Sequence, residues 1–73
     1  GQVLFSRHAR LESMPDENIT EDEIIRCLAT GFCSGVTFER SSWRYTMEIP
    51  RLAVVVAFNT ETNAIVVTTW RIK

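Results

Sequence analysis

The chain has few cysteines and histidines, the residues whose disulfides and bound metal ions stabilise many small proteins. Its 73 residues include two cysteines and one histidine, and no apolar run approaches the roughly 18 residues that cross a bilayer. Two cysteines do not make a disulfide framework, and one histidine is too few to complete a zinc ligand set with them. These absences exclude a disulfide scaffold and argue against both a metal site and a membrane span.

Nothing in the sequence marks a leader, a linker or an internal repeat. We therefore expect a single cytoplasmic domain over residues 1–73, with no cofactor and no membrane partner. Such a chain is close to the lower size limit for a self-supporting hydrophobic core. Cys27 and Cys33 are accordingly expected to be small buried hydrophobic residues.

The net charge of −1 argues against a strongly basic nucleic-acid binder, but the charges are segregated along the chain. Six of the nine acidic residues lie between Glu12 and Glu23, and seven of the eight basic residues are arginine. The rest of the surface can therefore be positive. Arginine suits phosphate recognition and also serves as ordinary solvated charge, so both interpretations remain open.

Local signals predict two helices in the first half of the chain. Ser6 is the expected N-cap of the first helix, which should end before Pro15 because a residue preceding proline is pushed out of helical geometry. Thr20 and Glu23 form the pattern of a capping box at the start of the second helix. Gly31 is expected in the left-handed conformation that ends it.

From Gly35 onward the hydrophobic pattern has a period of two, which predicts strands joined by short connections. The predicted fold class is α+β, with two N-terminal helices packed on a four-stranded antiparallel β-meander. The four predicted strands are Val36–Glu39, Arg44–Ile49, Leu52–Phe58 and Ala64–Arg71.

Alternation along the second predicted strand assigns its two faces. Tyr45, Met47 and Ile49 should meet the helices, which leaves Arg44 and Glu48 on the open face. The last two predicted strands are apolar on both faces, as central strands would be. Alternation alone therefore does not decide which side chains of the last strand meet the helices.

Four short motifs occur in a characteristic order across nearly the whole chain. They are Ser6-x-His8-Ala9, Ile19-Thr20-Glu21-Asp22-Glu23-Ile24, Arg44-Tyr45 and Trp70-Arg71. In this order the chain resembles the small DUF4258 proteins, relatives of the RelE-like toxins in the wider barnase, EndoU, colicin and RelE ribonuclease group. The chain departs from the family at two positions. An arginine usually stands where this chain has Glu12, with Arg10 as a nearby substitute, and tyrosine is more usual at Trp70.

The resemblance implies metal-independent cleavage of RNA, which needs a base, an acid and cations that stabilise the phosphorane. His8 is the natural proton-transfer group, because imidazole changes its charge near neutral pH. Glu48 is the candidate second group, and Arg44 and Arg71 are the expected phosphate clamps. The remaining candidates for substrate contact are Tyr45, Thr69 and Trp70.

The expected function is that of an endoribonuclease toxin in a toxin–antitoxin or toxin–immunity system. Its partners would be transfer RNA or ribosome-bound messenger RNA, together with a cognate antitoxin or immunity protein. The alternative is a non-catalytic protein- or RNA-binding module of the same fold. Structural roles also remain open for single residues: a helix-start role for His8, cross-strand pairing for Glu48, and core packing for Tyr45.

Overall fold

A computed structural model describes residues 2–58 and 63–72. Five strands form one sheet, and the helical segments lie against one of its faces. The elements in chain order are β1 (Gln2–Phe5), a π-helical turn (Ala9–Ser13) that continues into α1 (Met14–Glu17), α2 (Glu21–Thr30), β2 (Phe32–Glu39), β3 (Ser42–Ile49), β4 (Leu52–Phe58) and β5 (Asn63–Arg71).

The prediction of a four-stranded antiparallel meander is wrong, although the α+β class is right. The strand order is β1-β5-β4-β3-β2, in which β2 to β5 form the expected antiparallel hairpins and β1 joins β5 in parallel. Val3 of β1 lies opposite Ala64 of β5. A four-residue strand carries little periodicity of its own, and its partner lies at the other end of the chain.

The first helix begins as predicted and ends later. Ser6 Oγ accepts a hydrogen bond from the backbone N–H of Ala9 at 3.1 Å, which is the expected capping contact. The helix does not end before Pro15, because the chain passes through the wider π-helical turn and places Pro15 in the first turn of α1. The missing N–H of proline is tolerated at that position.

The second helix confirms the predicted capping box. The backbone N–H of Glu23 donates to Thr20 Oγ1 at 3.3 Å, and the backbone N–H of Thr20 donates to Glu23 Oε1 at 3.1 Å. Gly31 has φ −77°, so the predicted left-handed conformation is wrong. A Cβ on Gly31 would lie 2.5 Å from the carbonyl oxygen of Cys27 and 2.6 Å from that of Glu48. Close packing of the helix end against β3 is therefore the reason for glycine.

A bulge in β5 resolves the faces that alternation left open. Thr68 lies opposite Val55 and Val66 lies opposite Val56, so Val67 is the extra residue. Side chains on both sides of the bulge therefore face the helices. The buried core comprises Ala9, Met14, Ile19, Ile24, Cys27, Leu52, Val54 and Val66.

Both cysteines are free thiols, but they differ in their environment. Cys27 is buried in the core and Cys33 is exposed on β2, so the expectation of burial holds only for Cys27. In the ranges 2–58 and 63–72, no helix has the length and apolar character needed to cross a membrane.

Candidate functional site

His8 and Arg44 line the same concavity, which has a volume of about 420 Å³. His8 lies just after β1, and Arg44 lies on the open face of β3. The start of the first helix is fixed on β5 by two hydrogen bonds, from Ser6 N to the Val66 carbonyl at 2.9 Å and from Ser6 Oγ to the Val67 carbonyl at 2.9 Å. We call this feature the His8 concavity; its other lining residues are Ser6, Glu39, Arg40 and Val67.

The imidazole of His8 is oriented by a carboxylate one helical turn away. His8 Nδ1 lies 3.1 Å from Glu12 Oε2, and the His8 side chain is 58% exposed. A carboxylate at Nδ1 fixes the ring and favours the tautomer that leaves Nε2 free to accept a proton. Glu12 does not itself line the His8 concavity but contacts the residue that does, and its i,i+4 spacing from His8 is the signal that could have found it.

Arg44 is mostly buried and incompletely paired. Its side chain is 20% exposed, and its Nε lies 3.8 Å from Glu39 Oε2, beyond hydrogen-bond distance. Among the described residues, the buried Arg44 Nε has no hydrogen-bond partner. Buried polar groups are nearly always paired, so this nitrogen is unusual. The Arg44 side chain also lines the His8 concavity, and a guanidinium in that position is suited to bind an anion.

A tight turn adds a second arginine that sequence reasoning missed. Arg40 and Ser41 join β2 to β3 with φ values of 50° and 64°, both in the left-handed region. Two such residues make the type I′ turn that suits the twist of a hairpin, although asparagine and glycine are its usual residues. The predicted strands, Val36–Glu39 and Arg44–Ile49, leave Arg40 between them in a connection whose turn residues the sequence pattern does not specify.

Arg71 lies outside the His8 concavity. Along β4, Arg71 is opposite Leu52 and Arg44 is opposite Ala57, a separation of roughly 17 Å at strand spacing. Arg71 faces the helices and pairs with Glu23, with Nη1 2.6 Å from Oε2 and Nη2 3.1 Å from Oε1. The structure therefore gives Arg71 a role in joining β5 to α2.

Two of the three predicted substrate contacts point toward the helices. Thr69 is buried, and its Oγ1 donates to the carbonyl oxygen of Ala53 at 2.7 Å. Tyr45 packs edge-on against Phe58, with ring centroids 5.7 Å apart. Neither residue lines the His8 concavity.

Glu48 and Trp70 lie on the open face, at the opposite end from Arg44. Both are opposite Ala53, Glu48 from β3 and Trp70 from β5. Trp70 is 40% exposed. Of the predicted residues, the structure thus brings together His8 and Arg44, while Glu39 takes the position near them that was expected of Glu48.

Arg10, two residues before Glu12, is engaged outside the His8 concavity. Its Nη1 lies 3.1 Å from Glu21 Oε2, and its guanidinium carbon stands 4.9 Å from the centre of the Phe5 ring. These contacts link the first helix to α2 and β1.

Comparisons with protein-family models, with curated proteins and with solved structures give no match to this chain. A function must therefore be argued from the His8 concavity itself.

Proposed function

We propose that the chain is a metal-independent endoribonuclease whose active site is the His8 concavity. One observation supports this above all: a carboxylate-oriented imidazole and an incompletely paired arginine line the same concavity. Imidazole moves protons near neutral pH, and guanidinium binds phosphate through paired N–H groups. Both groups needed to activate and hold a phosphodiester are present.

In the proposed reaction, His8 Nε2 takes the proton from a ribose 2′-hydroxyl. The 2′-oxygen forms a bond to phosphorus, the bond from phosphorus to the 5′-oxygen breaks, and the leaving oxygen takes a proton from water. The hydroxide that remains takes the proton from the His8 imidazolium, which restores the neutral ring. The products are a 2′,3′-cyclic phosphate and a 5′-hydroxyl. Glu12, hydrogen-bonded to Nδ1, stabilises the imidazolium that forms.

Arg44 and Arg40 have the complementary task of holding the phosphate. The developing charge on the phosphorane oxygens is stabilised by donors that are already in place before the reaction. Arg44 is the better placed of the two, because its burial fixes the guanidinium and one N–H lacks a partner within the described part of the chain. Arg40 lies at the rim, on the β2–β3 turn.

The test is cleavage of transfer RNA and of ribosome-bound messenger RNA by the purified chain in the presence of a chelator. We expect products with 2′,3′-cyclic phosphate ends. Replacing His8 with alanine should lower the rate by at least about 100-fold, the usual contribution of a proton-transfer group. Arg44→Ala should weaken RNA binding and slow cleavage, and Glu12→Gln should slow cleavage without weakening binding.

Arg26→Ala is the matched control, because Arg26 is an exposed arginine on α2 that lines a different concavity. It should cleave at the unaltered rate, and circular dichroism should show that every variant is folded. Cleavage that persists in a folded His8→Ala variant would contradict the proposal.

A second candidate is a non-catalytic module that binds RNA through the same concavity. Glu39 favours it, because a carboxylate 3.8 Å from Arg44 Nε competes with phosphate for the guanidinium. The low net charge of −1 also favours it over a typical nuclease. Salt-sensitive RNA binding that is lost in Arg44→Ala, with no cleavage of any RNA tested, would identify this module. Action in the cytoplasm and neutralisation by a cognate antitoxin or immunity protein belong to the nuclease proposal.

A further inference from the structure

The helix-bearing face of the sheet is covered over only part of its length. Helix α2 has 10 residues and is therefore about 15 Å long, whereas the eight residues of β3 span roughly 27 Å. Met47 and Ile49, in the second half of β3, pack against the core. Beyond them, this face carries a run of apolar side chains that are exposed or only partly buried. We call this set the bare apolar end: Val36, Phe38, Trp43, Tyr45 and Phe58.

Most of these large apolar side chains are about half exposed, although a chain of this size needs most of its apolar residues in the core. Phe38 is 58% exposed, Trp43 55% and Phe58 49%. The rings of Phe38 and Trp43 lie 5.0 Å apart, so they form one surface rather than scattered residues. An apolar concavity of about 370 Å³ borders this surface and is lined by Leu28, Tyr45, Met47 and Phe58, among others. Contiguous exposed apolar surface of this kind is typical of an interaction site.

The bare apolar end borders an open sheet edge. Strand β2 is the last in the sheet order and pairs only with β3, so one side of its backbone has no strand partner in the described structure. Exposed edges are usually blocked by lysine or proline. The segment from Gly35 to Glu39 contains neither, and its only charge is Glu39 beside the turn. A register shift between Cys33 and Gly35 leaves this segment as the regular part of the edge.

We propose that two copies of this chain associate through β2, antiparallel about a two-fold axis at Thr37. In this register Val36 of each copy lies opposite Phe38 of the other copy. These two symmetry-related pairs lie on the face that carries the bare apolar end. Thr37 lies opposite Thr37 of the second copy on the other face. Apolar pairs and threonine pairs both stabilise antiparallel strands.

The charges and the symmetry favour a second copy over an unrelated partner. Glu39 of one copy lies opposite Gly35 of the other, so the register avoids a pair of like charges. The net charge of −1 gives little repulsion between copies. A two-fold interface requires one surface to complement itself, and the alternation of Val36, Thr37 and Phe38 meets that requirement.

The exposed area indicates a weak dimer. A second copy paired along β2 reaches Phe38 and the neighbouring Trp43, whereas Phe58 on β4 lies two strands from the edge. Large aromatic side chains present about 200 Å² each, so the half-exposed Phe38 and Trp43 contribute on the order of 100 Å² apiece. With the edge backbone, the buried area stays below the roughly 800 Å² per partner of a standard interface. We therefore expect dissociation in the micromolar range or above.

The test is sedimentation velocity of the 73-residue chain over concentrations from roughly 10 µM to 1 mM. A reversible monomer–dimer equilibrium is expected. Phe38→Lys should weaken association by at least about tenfold, because it places a charge in the apolar contact. Phe32→Lys is the matched control: Phe32 is 62% exposed on the same strand but faces the other side of the sheet, beyond the register shift. The Phe32→Lys variant should form the dimer with unaltered affinity.

A cross-link checks the register even if a lysine variant fails to fold. In a Cys33→Ser background, Thr37→Cys should form a disulfide-linked dimer on mild oxidation, because the two residues face each other across the axis. Thr30→Cys, exposed at the end of α2, should not. A chain that stays monomeric at all concentrations, a dimer that Phe38→Lys leaves intact, or linkage through Thr30→Cys but not Thr37→Cys would each overturn the proposal.

Discussion

Arg71 and Glu23 form a two-pronged ion pair that ties the last residue of β5 to the first turn of α2. The shorter contact, from Nη1 to Oε2, is 2.6 Å. The same guanidinium donates to the carbonyl oxygen of Asn18 at 2.9 Å and, through Nε, to that of Glu17 at 3.3 Å. All three guanidinium nitrogens of Arg71 are thus engaged in the fold, whereas Arg44 Nε has no hydrogen-bond partner among the described residues.

This pair predicts loss of stability in acid. The hydrogen bond from Arg71, followed by that from the Thr20 backbone, lowers the pKa of Glu23 from 4.5 to about 2. As the pH falls from 4.5 towards 2, the unfolded chain takes up a proton that the folded chain does not. The contribution of the Arg71–Glu23 pair to the free energy of unfolding should therefore be complete above pH 4.5 and decrease below it. Urea denaturation over this pH range measures the decrease.

Two variants test whether the Arg71–Glu23 ion pair causes that acid dependence. Glu23→Gln should be less stable at neutral pH and should lose less stability between pH 4.5 and 2. Asp22→Asn, its neighbour in the same helical turn, should keep the original pH dependence. An unchanged acid response in Glu23→Gln would show that other carboxylates control it.

The capping box makes Thr20 the more important of two threonines on α2. Thr20→Ala removes the acceptor for the Glu23 N–H, and loss of an N-cap costs about 0.5–2 kcal/mol of folding free energy. Thr30→Ala removes only the bond from Thr30 Oγ1 to the Arg26 carbonyl at 2.8 Å, and an exposed surface change of this kind costs within about 0.5 kcal/mol. Thermal denaturation of the two variants compares them, and equal losses would contradict the capping role.

Gly31 and Gly35 should respond differently to alanine. A Cβ at Gly31 would meet two backbone carbonyl oxygens at 2.5 and 2.6 Å, so helix α2 must move away from β3 at a cost of about 1–3 kcal/mol. A Cβ at Gly35 would come no closer than 3.9 Å to Thr46 Oγ1. Gly35→Ala should therefore be neutral or slightly stabilising, by up to about 1 kcal/mol. Equilibrium unfolding in urea compares the two variants. An unchanged free energy of unfolding in Gly31→Ala would contradict the close approach of the α2 end to β3.

The two thiols should differ in reactivity. Burial raises the pKa of Cys27, which disfavours the reactive thiolate, and the side chain is fully buried. Cys33 is exposed on β2. A thiol reagent should modify Cys33 at once and Cys27 only when the chain unfolds. Two equally fast reactions in the native protein, or a fast reaction in a Cys33→Ser variant, would contradict the burial of Cys27.

The parts of the fold that sequence reasoning predicted depend on neighbouring residues. The capping box of Thr20 and Glu23 gave the start of α2, and the continuous apolar run from Leu52 to Phe58 gave β4 with the bounds that the structure shows. The missed parts depend on distant residues or on space. Strand β1 is held by β5, and Gly31 is required by an approach to β3 that no local pattern reports.

The same distinction applies to the site. His8 and Arg44 were candidates by residue type and by family resemblance, and the parity of β3 placed Arg44 on the open face. Arg71 has an equally suitable guanidinium, but no sequence pattern shows that Glu23 occupies it. The bulge at Val67, which turns Thr69 and Arg71 toward the helices, breaks the alternation on which such assignments depend.

The parallel pairing of β1 with β5 determines when during synthesis the start of the first helix can be fixed to the sheet. Ser6, which positions His8, is fixed by a hydrogen bond to Val67, 61 residues further along the chain. A growing polypeptide has no such anchor until β5 has left the ribosome, so the imidazole and Arg44 cannot be held together earlier. Under the proposed function, cleavage could therefore begin only after β5 has been synthesised.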